Sequence, residues 1–257
     1  MNEQIMKVNN ISVNFGGLWA VKSIDMDVKK NEILGVMGPN GAGKSTFLNV
    51  LSGLQQPSEG YLVIGTQKIS QSKPWNMAKL GLSRSFQTVR LLPELNVLDN
   101  ILIGGHMDAE KQAWDILFRT KKYRQREKEL ISRAENLIET LELKDKKYEK
   151  ISKLSTEERR RVEIARSLMT QPNILLLDEP CAGLSPQETE EISKLILKIK
   201  EQGVTVILVE HNVKMIMSLS DRIVVLDHGQ KIAEGTPDEI AKHEDVIKAY
   251  LGGSVNA

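Results

Sequence analysis

Gly38-Pro39-Asn40-Gly41-Ala42-Gly43-Lys44-Ser45-Thr46 sets glycines, one lysine and two hydroxyls in the spacing G-x-x-x-x-G-K-[ST]. Between a strand and a helix, such a loop aims several backbone N–H groups and a helix N-terminus at one point, which suits a polyanion. Lys44 adds a full positive charge for β- and γ-phosphates, and the Ser45 hydroxyl can ligate Mg²⁺. The chemistry is the gripping of a nucleotide by its phosphates. A second group, Ile174-Leu175-Leu176-Leu177-Asp178-Glu179, is four apolar residues ending in two acids. At the carboxyl end of a central strand, Asp178 would lie beside the loop and hold Mg²⁺ directly or through water. Glu179, one residue on, can orient and deprotonate an attacking water.

These residues need elements that converge. The apolar run Ile33 to Met37 predicts a strand feeding the loop, and Phe47 to Leu51 continue a helix after it. Residues 5–13, 24–28, 60–65 and 82–86 also read as strands, with only that one helix in the first ninety residues. From about Pro93 to Lys150 the character changes. Glycine vanishes after Gly105, and Leu130, Ala134, Leu137, Ile138 and Leu141 recur at helical spacing in a charged segment. The basic run from Arg119 to Arg126 reads as a solvated helix face in preference to a lipid or partner contact. A helix from Thr156, the strand 174–177, a helix from Pro186 to Glu201, a strand from Val204 to Val209, a short helix and a strand from Arg222 to Leu226 then alternate. That alternation predicts an α/β fold with a parallel sheet covered on both faces.

Bulk properties narrow the class. The 257 residues are 40% hydrophobic with a net charge of +1, so no global field favours a nucleic-acid partner. One cysteine, Cys181, excludes an internal disulfide and fits a reducing compartment. No apolar segment approaches the ~18 residues of a membrane span. A soluble, cytoplasmic chain is expected, one that still sits on a membrane protein if a partner holds it there.

The order GPNGAGKST, Ser85-Phe86-Gln87, LSTEERRRVEIARSL, ILLLDEP and Val209-Glu210-His211 resembles the ATP-binding cassette (ABC) ATPases over essentially the whole chain. The resemblance implies a single domain spanning 1–257: a P-loop NTPase core with an N-terminal antiparallel β-subdomain (1–92 and 151–257) and a helical subdomain (93–150). It also implies roles. Phe15, before Gly16-Gly17, takes the place of the aromatic that stacks on adenine. Gln87 senses Mg²⁺ and the attacking water, Glu179 is the catalytic glutamate, and His211 contacts the γ-phosphate. Ser155 opens the signature that touches a nucleotide held by a second cassette, so ATP and Mg²⁺ are shared across a homo- or heterodimer. Within the family, Phe86 to Asn100, the charged insertion after His106 and the ending Asp245 to Gly252 are similar to ATP-binding subunits of branched-chain amino acid importers. Two membrane-spanning permease subunits and an extracytoplasmic solute-binding protein are the implied partners. A lipopolysaccharide-export ATPase ranks second, and a soluble non-transport cassette or a non-hydrolysing clamp remain as other classes.

The signature departs from the family's L-S-G-G-Q: this chain has Leu154-Ser155-Thr156-Glu157-Glu158. A carboxylate ~5 Å from a γ-phosphate charge costs about 3 kcal/mol at an effective dielectric near 20. That is on the order of a hundredfold in affinity or rate. The same text is also a capping box, with Ser155 as N-cap and Glu158 at the third helical position. A weak signature half beside a competent phosphate loop is the expectation. Ser185 stands where most of the family carries an aspartate that couples the two sites across the interface, a departure that implies weakened cross-talk and leaves hydrolysis itself intact.

Overall fold

The computed structural model describes residues 3–85, 91–105 and 121–252. β1 (Gln4–Phe15) and β2 (Leu18–Lys29) form a long antiparallel hairpin turned by Gly16 and Gly17, both at positive φ. β3 (Ile33–Met37) leaves this layer, and β4 (Glu59–Ile64) with β5 (Gln67–Ile69) complete a four-stranded antiparallel sheet in the order β2-β1-β4-β5.

The second sheet has six strands. β6 (Leu82–Arg84), β7 (Ile174–Asp178), β8 (Thr205–Val209) and β9 (Arg222–Asp227) run parallel to β3, and β10 (Gln230–Gly235) is antiparallel at one edge. The order is β10-β9-β3-β8-β7-β6. β3, β7, β8 and the middle of β9 read as buried, largely apolar runs because both faces are covered there. Leu34 and Val36 of β3, with Ile174 and Leu176 of β7, pack toward the antiparallel sheet and α1 (Lys44–Leu51). Ile33, Met37, Leu175 and Leu177 face the other way. There they meet α5 (Thr156–Leu168), α6 (Pro186–Glu201) and α7 (Val213–Leu219).

Two more helices belong to that second core. In α4 (Lys121–Thr140) the expected spacing buries Ala134 and Ile138, and Leu141 just beyond is buried too, with Leu130 and Leu137 packed against them. α3 (Val97–Ile103) contributes Val97 and Ile101. Arg124, Gln125 and Arg126 are exposed, as a solvated face requires, and Arg119 lies outside the described residues.

Several elements correct the sequence reading. A second helix in the first ninety residues, α2 (Pro74–Lys79), starts on Pro74, whose fixed φ suits a first turn, and anchors through the buried Met77. The strand expected at 24–28 is the second half of β2, whose first half displays Leu18 and Trp19 to solvent and so breaks the alternation. The strand expected at 82–86 ends at Arg84. Short β5, β10, α8 (Pro237–Ala241) and α9 (Glu244–Gly252) had no periodic signal long enough to announce them.

Candidate functional site

The strand order β3-β8-β7 decides the geometry of the site. Parallel neighbours end side by side, so the loop after β3, the loop after β8 and the end of β7 meet at one carboxyl edge. A cavity of about 690 Å³ opens there, lined by Asn40, Gly41, Ala42, Gly43, Lys44, Ser45 and Thr46 together with Glu179 and His211.

The loop's shape needs its glycines. Gly43 has φ +94, and a Cβ there would lie 2.3 Å from the Ala20 carbonyl oxygen; at Gly38 the clash is 2.1 Å with the Leu226 oxygen. Within the loop, Lys44 Nζ donates to the Gly38 carbonyl at 2.7 Å and the Pro39 carbonyl at 3.0 Å. Burial pulls its ammonium below the usual lysine range, against the opposing charges of Glu179 and Asp178.

On the other wall, Glu179 Oε1 lies 2.5 Å from His211 Nε2. Glu179 is nearly buried and His211 about half exposed, so the pair straddles the cavity's rim. Glu210, absent from the sequence-derived candidates, holds this wall together. Its Oε1 accepts from the Cys181 amide at 2.8 Å and its Oε2 from the His211 amide at 3.2 Å. Burial pushes its carboxyl above the usual range, while those two amides pull the other way.

Asp178 is 2% exposed and sits behind the loop. Its Oδ2 accepts from Arg84 Nη2 at 2.7 Å, and its Oδ1 is buried without a hydrogen-bond partner. An orphaned buried carboxylate oxygen is costly unless a cation or water meets it. With the exposed Ser45 hydroxyl lining the cavity, the donor set fits a hard, oxygen-loving divalent cation. Among the described residues no three His, Cys, Asp or Glu side chains converge into a cage, so such a cation would rely on phosphate oxygens for the rest of its shell.

Other expected residues stand apart. Phe15 is exposed at the hairpin tip and does not line the cavity; Leu18, Trp19 and Ala20, opposite it in the hairpin, do. Gln87 lies outside the described residues. Ser155 and Glu157 are at the start of α5, away from the cavity. The Ser155 hydroxyl accepts from the Glu158 amide at 3.1 Å while Glu158 Oε2 accepts from the Ser155 amide at 2.8 Å, a complete capping box. The Glu157 carboxylate pairs with Arg161 Nε, and Arg161 Nη1 also reaches the Leu141 carbonyl and Glu142. Ser185 likewise caps α6 through a box with Glu188. His228 and Gly229, in the turn between β9 and β10, complete the cavity, and the Gly229 amide donates to the Ala42 carbonyl at 3.1 Å. The His-Gly pair between two apolar runs was their only sequence signal.

A second, apolar cavity of about 360 Å³ lies between α2, β6 and the turn after α3. Leu54, Trp75 and Ile103 stand 48%, 55% and 44% exposed along it. No helix among the described residues is long and apolar enough to cross a membrane.

Residues 21–182 match the family model of the ABC transporter, and residues 230–256 match that of the branched-chain amino acid ATP-binding cassette transporter. The high-affinity branched-chain amino acid transport ATP-binding protein BraF of Pseudomonas aeruginosa is 40% identical over 98% of this chain and 99% of its own. Among solved structures, the ADP conformation of MJ1267, an ATP-binding cassette of an ABC transporter, superposes with a TM-score of 0.85 at 32% identity, covering 97% of this chain and 99% of that one. The dimeric post-hydrolysis state of the cassette MJ0796, bound to ADP and Pi, gives a TM-score of 0.72 at 27% identity over 90% of this chain and 98% of that one.

Proposed function

From the premise that this chain belongs to the ABC transporter ATPases, we propose that it is the ATP-hydrolysing subunit of an importer for branched-chain amino acids. The contact between Glu179 and His211 across the cavity from the phosphate loop carries the chemistry. The match over 230–256 supports the cargo, and favours import over a lipopolysaccharide-export or soluble cassette.

Lys44 and the loop amides bind and orient the triphosphate of ATP. Glu179 accepts the proton of a water attacking the γ-phosphorus, ADP leaves, and His211 and Lys44 stabilise the charge spread over the transferred oxygens. Ser45 and Asp178 would hold Mg²⁺, which neutralises phosphate charge when bound. Intact Glu179 and His211 oppose the reading of a non-hydrolysing clamp.

Ser155 and Glu157 lie away from the chain's own phosphate loop, so they serve a nucleotide held by a second cassette, a role the dimeric neighbour supports. That signature half is weak. Its carboxylate is paired with Arg161, and the capping box already engages the Ser155 hydroxyl that opens the signature. In a heterodimer one good and one weak site result; in a homodimer both are weak. α3 and α4, within the 93–150 segment, belong to the helical subdomain. The apolar groove at Leu54, Trp75 and Ile103 receives a helix of the permease subunits, and the chain works at the cytoplasmic face of the membrane.

Reconstitution with the permeases, the partner cassette and a solute-binding protein tests the whole. Phosphate release that rises with leucine-loaded binding protein supports it. Hydrolysis indifferent to leucine, isoleucine and valine overturns the cargo assignment.

A further inference from the structure

Arg84, the last residue of β6, joins three elements through one side chain. Its Nη2 donates to Asp178 Oδ2 at 2.7 Å, and its Nη1 donates to Asn49 Oδ1 at 2.7 Å and Ser52 Oγ at 2.9 Å. Asn49 lies in α1 and Ser52 caps it, so the helix launched by the phosphate loop anchors the arginine. Its backbone oxygen accepts from Ser167 Oγ of α5 at 3.4 Å. The side chains of Arg84 and Asp178 are 8% and 2% exposed.

A buried ion pair by itself argues little, because desolvation offsets its attraction. The geometry of the second oxygen argues more. Oδ2 is held by the arginine, and Oδ1 is the oxygen left buried without a partner. A guanidinium suits such a clamp because it is planar, always charged, and spreads its donors in a rigid fork that can hold a carboxylate and two anchors at once.

We propose that Arg84 is the positioning residue of the metal site: it sets Asp178 so that Oδ1 faces the Mg²⁺ accompanying ATP, and it fixes that oxygen relative to Lys44 and Ser45 through α1. The inference rests on the reading of the cavity as a Mg²⁺–ATP site and adds the group that orients its acid. It also gives the apolar groove a route to the chemistry, because Ser83 and Arg84 line that groove while the Arg84 guanidinium holds the metal acid.

The test separates metal from nucleotide. Affinity of the full chain for a fluorescent ATP analogue is measured in EDTA and in saturating Mg²⁺, and the bound complex with Mn²⁺ and a non-hydrolysable analogue is recorded by electron paramagnetic resonance. In Arg84→Met the tightening contributed by Mg²⁺ falls about tenfold, the usual scale for losing a partner that orients a metal ligand. Affinity in EDTA stays within about twofold, the Mn²⁺ line shape changes, and Arg84→Lys recovers part of the loss. Equal losses with and without metal, or no loss, overturn the proposal. Should Arg84→Met fail to fold, Asn49→Ala/Ser52→Ala frees the arginine while leaving its pair with Asp178. It must then lose Mg²⁺ tightening selectively or the proposal falls. A parent chain that binds no nucleotide would instead sink the underlying reading of the cavity.

Discussion

Glu179 Oε1 and His211 Nε2 are 2.5 Å apart, although 32 residues separate them in sequence (211 − 179) and each follows a different strand. The contact exists because β7 and β8 are parallel neighbours whose ends Glu210 ties together through the amides of Cys181 and His211. A carboxylate so held faces the glycine loop across one cavity, where the proposed hydrolysis needs a proton acceptor.

Replacing that carboxylate by an isosteric amide isolates its role. Glu179→Gln should lower steady-state phosphate release by about a hundredfold or more, within the range of losing a general base, with ATP affinity retained. A variant keeping a tenth of the parent rate would remove Glu179 from the mechanism.

The signature makes an opposite prediction for Glu157. Glu157→Gly with Glu158→Gln should raise phosphate release by the assembled complex about tenfold, since in the proposed dimer it removes a carboxylate, partly offset by Arg161, from the surface presented to the second cassette's γ-phosphate. The cost falls on the chain itself. Arg161 loses one charged partner and keeps Glu142 and the Leu141 carbonyl, so denaturant unfolding should show a loss of about 2 kcal/mol. Unchanged rates would show that the departure from the family pattern is tolerated.

Cys181 gives a pH test. Burial pushes its thiol from 9.0 up to about 12, with the Glu210 charge adding to the shift. The native chain keeps the proton that the unfolded chain gives up, so this residue's contribution to stability is full below pH 9 and declines as pH rises toward 12. Native protein at about pH 8 should therefore resist a thiol-specific disulfide reagent and react on unfolding. Rapid labelling of the folded chain would contradict the burial.

At the apolar groove, Leu54→Glu/Trp75→Glu should leave nucleotide affinity alone and abolish co-purification with the permease subunits. Burying two charges without partners against an apolar helix is prohibitive. Retained assembly would move the docking surface elsewhere.

Local pattern and long-range contact were not equally legible in the sequence. The run Ile33 to Met37, the loop and the helix after it announce themselves because their signals lie within twenty residues. Thr156, Pro186 and Asp178 mark element ends through capping, proline and charge, and each element forms with those bounds or within a residue of them. Arg84 gave no signal, since its partner lies 94 residues away and only the register of β6 on β7 brings them together. Trp19 was silent for the same reason, and Gly229 showed only as a turn between two apolar runs. The alternation that names a strand does not say which hairpin end will wall a cavity. Glu210 was visible only as the middle of Val-Glu-His, and its two amide partners are set by tertiary structure.

Glu179 also occupies the left-handed region, at φ +49, where residues with a Cβ are disfavoured by roughly 1–2 kcal/mol. The chain thus places the side chain proposed to take the proton on a backbone conformation that only glycine adopts freely. Thermal robustness and turnover are set against each other at this one position: Glu179→Gly would relax the peptide, melt higher than the parent, and do no work.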